Sequence, residues 1–178
     1  MSTENSEWER RIAAAWADFE ASSDESEEYA ERFRARIAEL AAELPADSPV
    51  GPFERGCAFD STGHSDLAVP QYEEALRLGL TGYRARRTKI QLASSLRNTG
   101  RAAEGVALLE PELSAPGDEL DDAVRGCLAL CLSSLGRDRE GLGLVLGALA
   151  PHLPRYQRSM ANYARELADS RQGSGRAG

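Results

Sequence analysis

Five polar side chains recur at helical spacing near the middle of the chain. Arg87, Gln91, Ser94 and Asn98 are separated by four, three and four residues, and Arg84 lies one turn earlier. At about 100° per residue, the stretch from Arg87 to Asn98 forms a polar stripe roughly 60° wide on one helix face. Guanidinium and amide groups in this arrangement can hydrogen-bond an extended peptide backbone or hold a carboxylate. We therefore predict a ligand-binding surface here, with the ordinary solvated face of a helix as the alternative.

The charged residues around this polar stripe are segregated along the chain. Residues 82–101 contain six basic side chains and no acidic one, whereas residues 102–124 contain seven acidic side chains and no basic one. This pattern fits either complementary pairing between adjacent helices or a basic groove that attracts acidic ligands.

The net charge of −8 belongs entirely to the N-terminal part of the chain. Residues 1–49 carry 13 acidic and 5 basic side chains, and the remainder is neutral. Nucleic-acid binding needs a basic footprint, and so does binding to an anionic membrane surface. We therefore expect neither nucleic acid nor a membrane as the partner.

The residues most often used in catalysis or metal binding occur without a recognisable arrangement. Cys127 and Cys131 are four residues apart on one predicted helix, but only His64 and His152 could complete a metal site, and neither has ligand spacing. Small buried thiols are the preferred interpretation. The sequence contains no nucleophile-elbow, zinc-protease or phosphate-loop motif. We expect no catalytic residue, no cofactor and no metal, and hence no enzyme.

The elements that would position the polar stripe are helical hairpins. Gly63, Gly100 and Gly136 are 37 and 36 residues apart, and each stands between the end of one apolar helix and the start of another. A fixed period in this range indicates a stacked array of helical hairpins. Since no segment alternates apolar and polar residues over a convincing length, the sequence predicts an all-α fold.

Small residues occupy matched positions in the three hairpins. The pairs are Gly56 with Ala68, Ala93 with Gly105, and Ala129 with Gly141. A small residue lets two helices approach closely, and a large neighbour fills the gap beside it. We predict a close helix contact at each pair. Large residues seal it, including Tyr72 in the first hairpin and Leu109 in the second, and Leu128, Leu132 and Val145 in the third.

The repeat resembles the tetratricopeptide repeat. The segments AVPQYEEALRLGL and KIQLASSLRNTGR have close analogues in small bacterial proteins of this type, and the resemblance covers about residues 50–154. It implies a right-handed α–α superhelix in which the first helix of each hairpin lines a concave groove. It also places the polar stripe (Arg84, Arg87, Gln91, Ser94 and Asn98) in that groove. The carboxylate clamp of chaperone-binding members is absent, because its positions hold residues such as Phe53, Cys57 and Ile90.

The resemblance implies a non-catalytic scaffold that binds a protein or a peptide, with an acidic partner as one option. The alternative is a structural protein that self-assembles, for example as a homodimer. A cytoplasmic location is expected, because the sequence shows neither a signal peptide nor an apolar run of membrane-spanning length.

Five segments are predicted along the chain. They are a disordered start at 1–3, an acidic helix pair at 4–49, three hairpins at 50–154, a capping helix at 155–169 and a disordered tail at 170–178. The acidic pair carries aromatic residues, including Trp8 and Trp16, that are too costly to leave in water. Either the pair stacks on the first repeat as a degenerate hairpin, or its acidic face reaches a basic groove and competes with ligand.

Overall fold

A computed structural model describes residues 3–169 and shows an all-α protein, as the sequence predicts. No strand occurs within that range. The helices are α1 (Thr3–Ala21), α2 (Glu27–Ala42), α3 (Val50–Ser61), α4 (Ser65–Arg77), α5 (Gly82–Asn98), α6 (Ala102–Leu109), α7 (Asp121–Ser134), α8 (Asp138–Leu149) and α9 (Gln157–Asp169). Short 3₁₀ turns follow α6 at Glu110–Ser114 and α8 at Ala150–His152.

The predicted disordered ends fall almost wholly outside the described residues. Residues 1–2 and 170–178 are not described, and Thr3 is already the first residue of α1. The chain forms two compact units, one within residues 1–88 and one within residues 89–178.

The three predicted hairpin glycines all end a helix in the left-handed backbone region. Gly63, Gly100 and Gly136 have φ values of 82°, 81° and 74°. The residue after each glycine donates its backbone N–H to the carbonyl five residues back, at 2.9, 2.7 and 2.9 Å. This Schellman arrangement satisfies the last carbonyls of a helix, and glycine adopts it without steric cost. The sequence period therefore corresponds to a turn that recurs with the same geometry.

The first unit has a core built by the acidic helix pair and α3. Trp8 and Ile12 of α1 pack with Phe33 and Ile37 of α2 and with Ala58 of α3. The indole Nε1 of Trp8 donates to the backbone carbonyl of Leu40 at 2.8 Å. Trp8 and Phe33 of the acidic pair are therefore buried within the unit, Trp16 and Phe19 are half-buried against the same core, and α2 packs directly on α3.

In the first hairpin, a large aromatic residue fills the space beside Gly56. A Cβ placed on Gly56 would lie 2.7 Å from two ring carbons of Tyr72 and 3.3 Å from Gln71. Tyr72 is fully buried and lies one helical turn beyond Ala68. The ring of Tyr72 therefore fills the space left by the missing side chain of Gly56, as expected of a large residue at this position, and a direct contact of Gly56 with Ala68 stays a prediction.

The second unit shows the predicted close contacts in both remaining hairpins. A Cβ on Gly105 would lie 3.0 Å from the Ala93 carbonyl oxygen, and one on Gly141 would lie 2.9 Å from the Ala129 carbonyl oxygen. Leu128 and Leu132 are buried, as predicted. Val145 is not, since 43% of it is exposed. Helix α9 packs on α8.

Candidate functional site

All five residues of the predicted polar stripe lie on α5, but they belong to different units. Arg84 and Arg87 stand at its start, in the first unit, and contribute to one cavity there. Gln91, Ser94 and Asn98 lie further along α5, in the second unit. Gln91 and Ser94 are half-buried, while Asn98 is exposed. The joint groove formed by all five stays a prediction.

The cavity has a volume of about 550 Å³ and is lined by α1, α3 and the start of α5. Its most buried lining residues are Ile12, Phe53 and Glu54, and Trp16 is half-buried beside them. The more exposed lining is polar and includes Glu20, Tyr83 and Arg87. The remaining lining residues are Glu9, Ala13, Ala17 and Arg84. The cavity thus combines an apolar, aromatic interior with a charged margin.

Arg84 is already engaged by a carboxylate of the acidic pair. Its Nη2 donates to Oε2 of Glu9 at 2.7 Å, and each of the two side chains remains 35% exposed. This hydrogen bond raises the pKa of the Arg84 guanidinium above its usual range. A charge-assisted bond of this kind is the interaction that a ligand carboxylate would make with the same guanidinium.

Arg87 makes a different contact. Its guanidinium carbon lies 5.6 Å from the centroid of the Phe53 ring, within the range of a cation–π interaction. Phe53 is almost fully buried whereas Arg87 is exposed. The ring therefore orients an arginine at the mouth of the cavity.

Glu54 is a charged residue inside the cavity that the sequence analysis missed. It is only 5% exposed, and its Oε2 accepts a hydrogen bond from the indole Nε1 of Trp16 at 2.9 Å. Burial raises the pKa of the Glu54 carboxyl, against the opposing effects of the Trp16 hydrogen bond and of the nearby Arg84 and Arg87 charges. The available signal was a glutamate directly after Phe53, in a run from Val50 to Phe59 whose other charged residue is Arg55.

Two basic side chains of α5 are paired with carboxylates, one in each unit. Arg84 pairs with Glu9, and in the second unit Lys89 of α5 pairs with Glu112, which follows α6. The Lys89–Glu112 pair is an example of complementary pairing between adjacent helices, which is one of the two explanations of the charge segregation given above. The cavity itself contains three carboxylates (Glu9, Glu20 and Glu54) and two guanidiniums. The charged groups available to a ligand in this cavity are therefore both acidic and basic.

The two cysteines of α7 are buried thiols that contact α5. Cys127 Sγ lies 3.3 Å from the Ile90 carbonyl oxygen, and Cys131 Sγ lies 3.5 Å from that of Ala93. Both belong to the apolar core of the second unit. Within residues 3–169 there is no group of three or more His, Cys, Asp or Glu side chains placed to hold a metal ion.

Comparisons with known proteins define the family. None of the helices within residues 3–169 has the length and apolar character needed to cross a membrane. No curated protein and no solved structure shows a significant match to the chain. Residues 49–167, which include α3 to α8 and most of α9, match the family described as Tetratrico peptide repeat. With its recurring helical hairpins and their matched glycine turns, this chain belongs to the Tetratrico peptide repeat family.

Proposed function

We propose that this protein is a non-catalytic scaffold that binds a protein or peptide segment on the face of α5 marked by Arg84, Arg87, Gln91, Ser94 and Asn98. Repeats of this family generally serve as protein–protein interaction scaffolds and are typically non-catalytic. The observation that carries the proposal is the cavity in which Arg84 and Arg87 stand beside Trp16 and Phe53.

The size and lining of this cavity suit part of a peptide. Ligand sites are usually concave, about 300–1,000 Å³ in volume, and mainly apolar with a few polar groups that fix orientation. A volume of about 550 Å³ has room for a large side chain and adjoining backbone. Arg87 at the mouth supplies the donors that orient a carboxylate or a backbone carbonyl.

Peptide selection tests this proposal. A display library of short random peptides is selected on the wild-type protein, and the enriched peptides are measured against Arg87→Glu. The matched control is Arg10→Glu, which makes the same charge change at a 72% exposed side chain of α1 outside the cavity. We expect Arg87→Glu to weaken binding and Arg10→Glu to preserve it. If no peptide is enriched, the proposed scaffold function is wrong. If both variants bind the peptides equally well, the assignment of Arg87 to the binding site is wrong.

A second candidate function, self-assembly, is favoured by one observation. Leu142, Val145 and Leu149 follow one another along α8 at helical spacing, and each is between 43% and 50% exposed. An apolar row of this kind can contact a second copy of the chain. The molecular mass in solution distinguishes this candidate from the scaffold.

A further inference from the structure

Glu9 occupies the position in the cavity at which an acidic ligand group would bind. We propose that Glu9 is a built-in competitor and that the cavity takes a peptide segment with an acidic residue next to an aromatic or large aliphatic one. The ligand carboxylate replaces Glu9 on Arg84, and the apolar side chain enters between Trp16 and Phe53. This inference rests on the proposed scaffold function and specifies its ligand.

The geometry of the Glu9–Arg84 pair makes it replaceable. The two side chains are joined at 2.7 Å but are each 35% exposed, so solvent and ligand can reach both. Partly exposed ion pairs contribute little to folding stability, because hydration compensates each partner when the pair opens. A released Glu9 carboxylate can return to water, while Arg84 exchanges one carboxylate for another.

The apolar requirement follows from the interior of the cavity. Ile12, Trp16 and Phe53 present apolar surface there, whereas the charged groups lie mainly at the margin. Removing apolar surface from water drives association in proportion to the area buried. Trp16 is fixed by its hydrogen bond to Glu54, so the aromatic wall is preorganised.

The remaining carboxylates restrict the ligand to a single acid at this point. Glu54 stays in the interior on the indole of Trp16, and Glu20 lies at the margin. A second ligand carboxylate would face these like charges, which disfavours strongly acidic runs. Charge complementarity therefore selects one acidic residue flanked by apolar ones.

The test uses peptides enriched on the full-length wild-type protein, each labelled with a dye and titrated by fluorescence anisotropy. Glu9→Gln removes the competitor, and Glu7→Gln is the matched control on the same helix, because Glu7 pairs with Arg10 outside the cavity. We expect Glu9→Gln to bind about three- to fivefold more tightly and Glu7→Gln to match the wild type. Arg84→Gln should weaken binding, and adding Glu9→Gln to it should give no further gain.

The outcomes separate this inference from the function on which it rests. Enriched peptides that pair an acidic with an apolar residue, together with the gain that depends on Arg84, support it. If peptides bind and require Arg87 while Glu9→Gln leaves their affinity unchanged, the competitor role of Glu9 is wrong and the proposed scaffold function is retained. If the peptide acid can be replaced by its amide without loss, the ligand class is wrong. If no peptide is enriched on the wild-type protein, the scaffold function itself is wrong.

Discussion

Glycine serves two different purposes in the second unit. Gly141 brings α8 against the backbone of α7, and a Cβ there would lie 2.9 Å from the Ala129 carbonyl oxygen. At Gly126, inside α7, such a Cβ would enter open space, because apart from its chain neighbours and the backbone of its own helix no described atom lies within 4 Å. The same substitution should therefore have opposite effects at the two positions.

We predict that Gly141→Ala destabilises the protein by about 1–3 kcal/mol, because the clash is with backbone that cannot move aside. Gly126→Ala should stabilise it by about 0.5–1 kcal/mol, since alanine is the better helix former. Urea unfolding followed by circular dichroism measures both changes. A Gly141→Ala protein as stable as the wild type would contradict the close contact.

The buried carboxyl of Glu54 makes the free energy of unfolding depend on pH. Its pKa is raised in the folded protein by burial, with Glu9 acting in the same direction and the Trp16 hydrogen bond, Arg84 and Arg87 opposing. Between the ordinary and the raised pKa the folded state binds more protons than the unfolded state. The contribution of Glu54 to the free energy of unfolding therefore falls as the pH rises through this interval.

We predict that Glu54→Gln removes this fall in the free energy of unfolding with rising pH, because the amide oxygen can still accept the hydrogen bond from Trp16 and carries no charge. The melting temperature of the variant minus that of the wild type should be larger at pH 8 than at pH 4. Glu39→Gln, at an exposed site on α2, is the control and should show no such trend. A difference that stays constant with pH would mean that burial does not control this carboxyl.

The site shows what residue patterns can and cannot predict. Arg84 and Arg87 were predicted because their spacing along one helix is visible in the sequence. Their neighbours Glu9 and Glu54 were not, because 75 residues separate Glu9 from its partner Arg84 and only the packing of α1 and α3 brings these groups together. The mixed charge of the cavity is therefore a tertiary property.

At the scale of elements, the α1–α2 hairpin contributes much of the core of the first unit. It supplies Trp8, Ile12, Phe33 and Ile37, and Trp16 donates the hydrogen bond to buried Glu54. A chain without this hairpin would expose the apolar surface of α3, which is costly.

We predict that a chain beginning at Ser48 loses the cooperative thermal transition of the first unit. Circular dichroism melts of the shortened and full-length chains measure this loss. A shortened chain that melts at the full-length temperature would show that the hairpin is not integral. If it also bound the selected peptides with unchanged affinity, the Glu9 competitor would be wrong as well.

Val145 is exposed although its matched positions in the other two hairpins are buried. Tyr72 and Leu109, at the matched positions of the first two hairpins, are fully buried. Helix α9 contacts α8 at Gly143, where a Cβ would lie 3.2 Å from the Ala164 carbonyl oxygen. Two residues along a helix turn about 200°, so Val145 points away from α9. A matched sequence position does not fix burial where the array changes from hairpins to a single helix.

At the scale of the whole molecule, we predict a mass that stays monomeric as the protein concentration rises. Three half-exposed side chains on α8 fall well short of the roughly 800 Å² that each partner of a stable complex buries, and a net charge of −8 opposes association. Sedimentation equilibrium measures the mass. A stable dimer that Leu142→Glu dissociates would instead favour self-assembly.

The sequence predicted the all-α repeat fold because the turn glycines and the small residues recur with the same period. It did not predict the division into two compact units, whose boundary between Thr88 and Lys89 falls inside α5. The repeat spacing in the sequence reflects the similarity of neighbouring hairpins, whereas the division into compact units depends on all the contacts that each helix makes. The right-handed superhelix stays a prediction.

Both tryptophans of the chain lie on α1, and this placement makes tryptophan fluorescence a reporter of the first unit alone. Trp8 is buried against Leu40, whereas Trp16 borders the cavity and is hydrogen-bonded to Glu54. Emission should therefore follow the unfolding of residues up to 88, while the far-ultraviolet signal sums the helices of both units. Coincident transitions by the two probes would indicate that the units unfold together, and separate transitions would give each its own stability. Ligand entry between Trp16 and Phe53 would shift the same emission without any label.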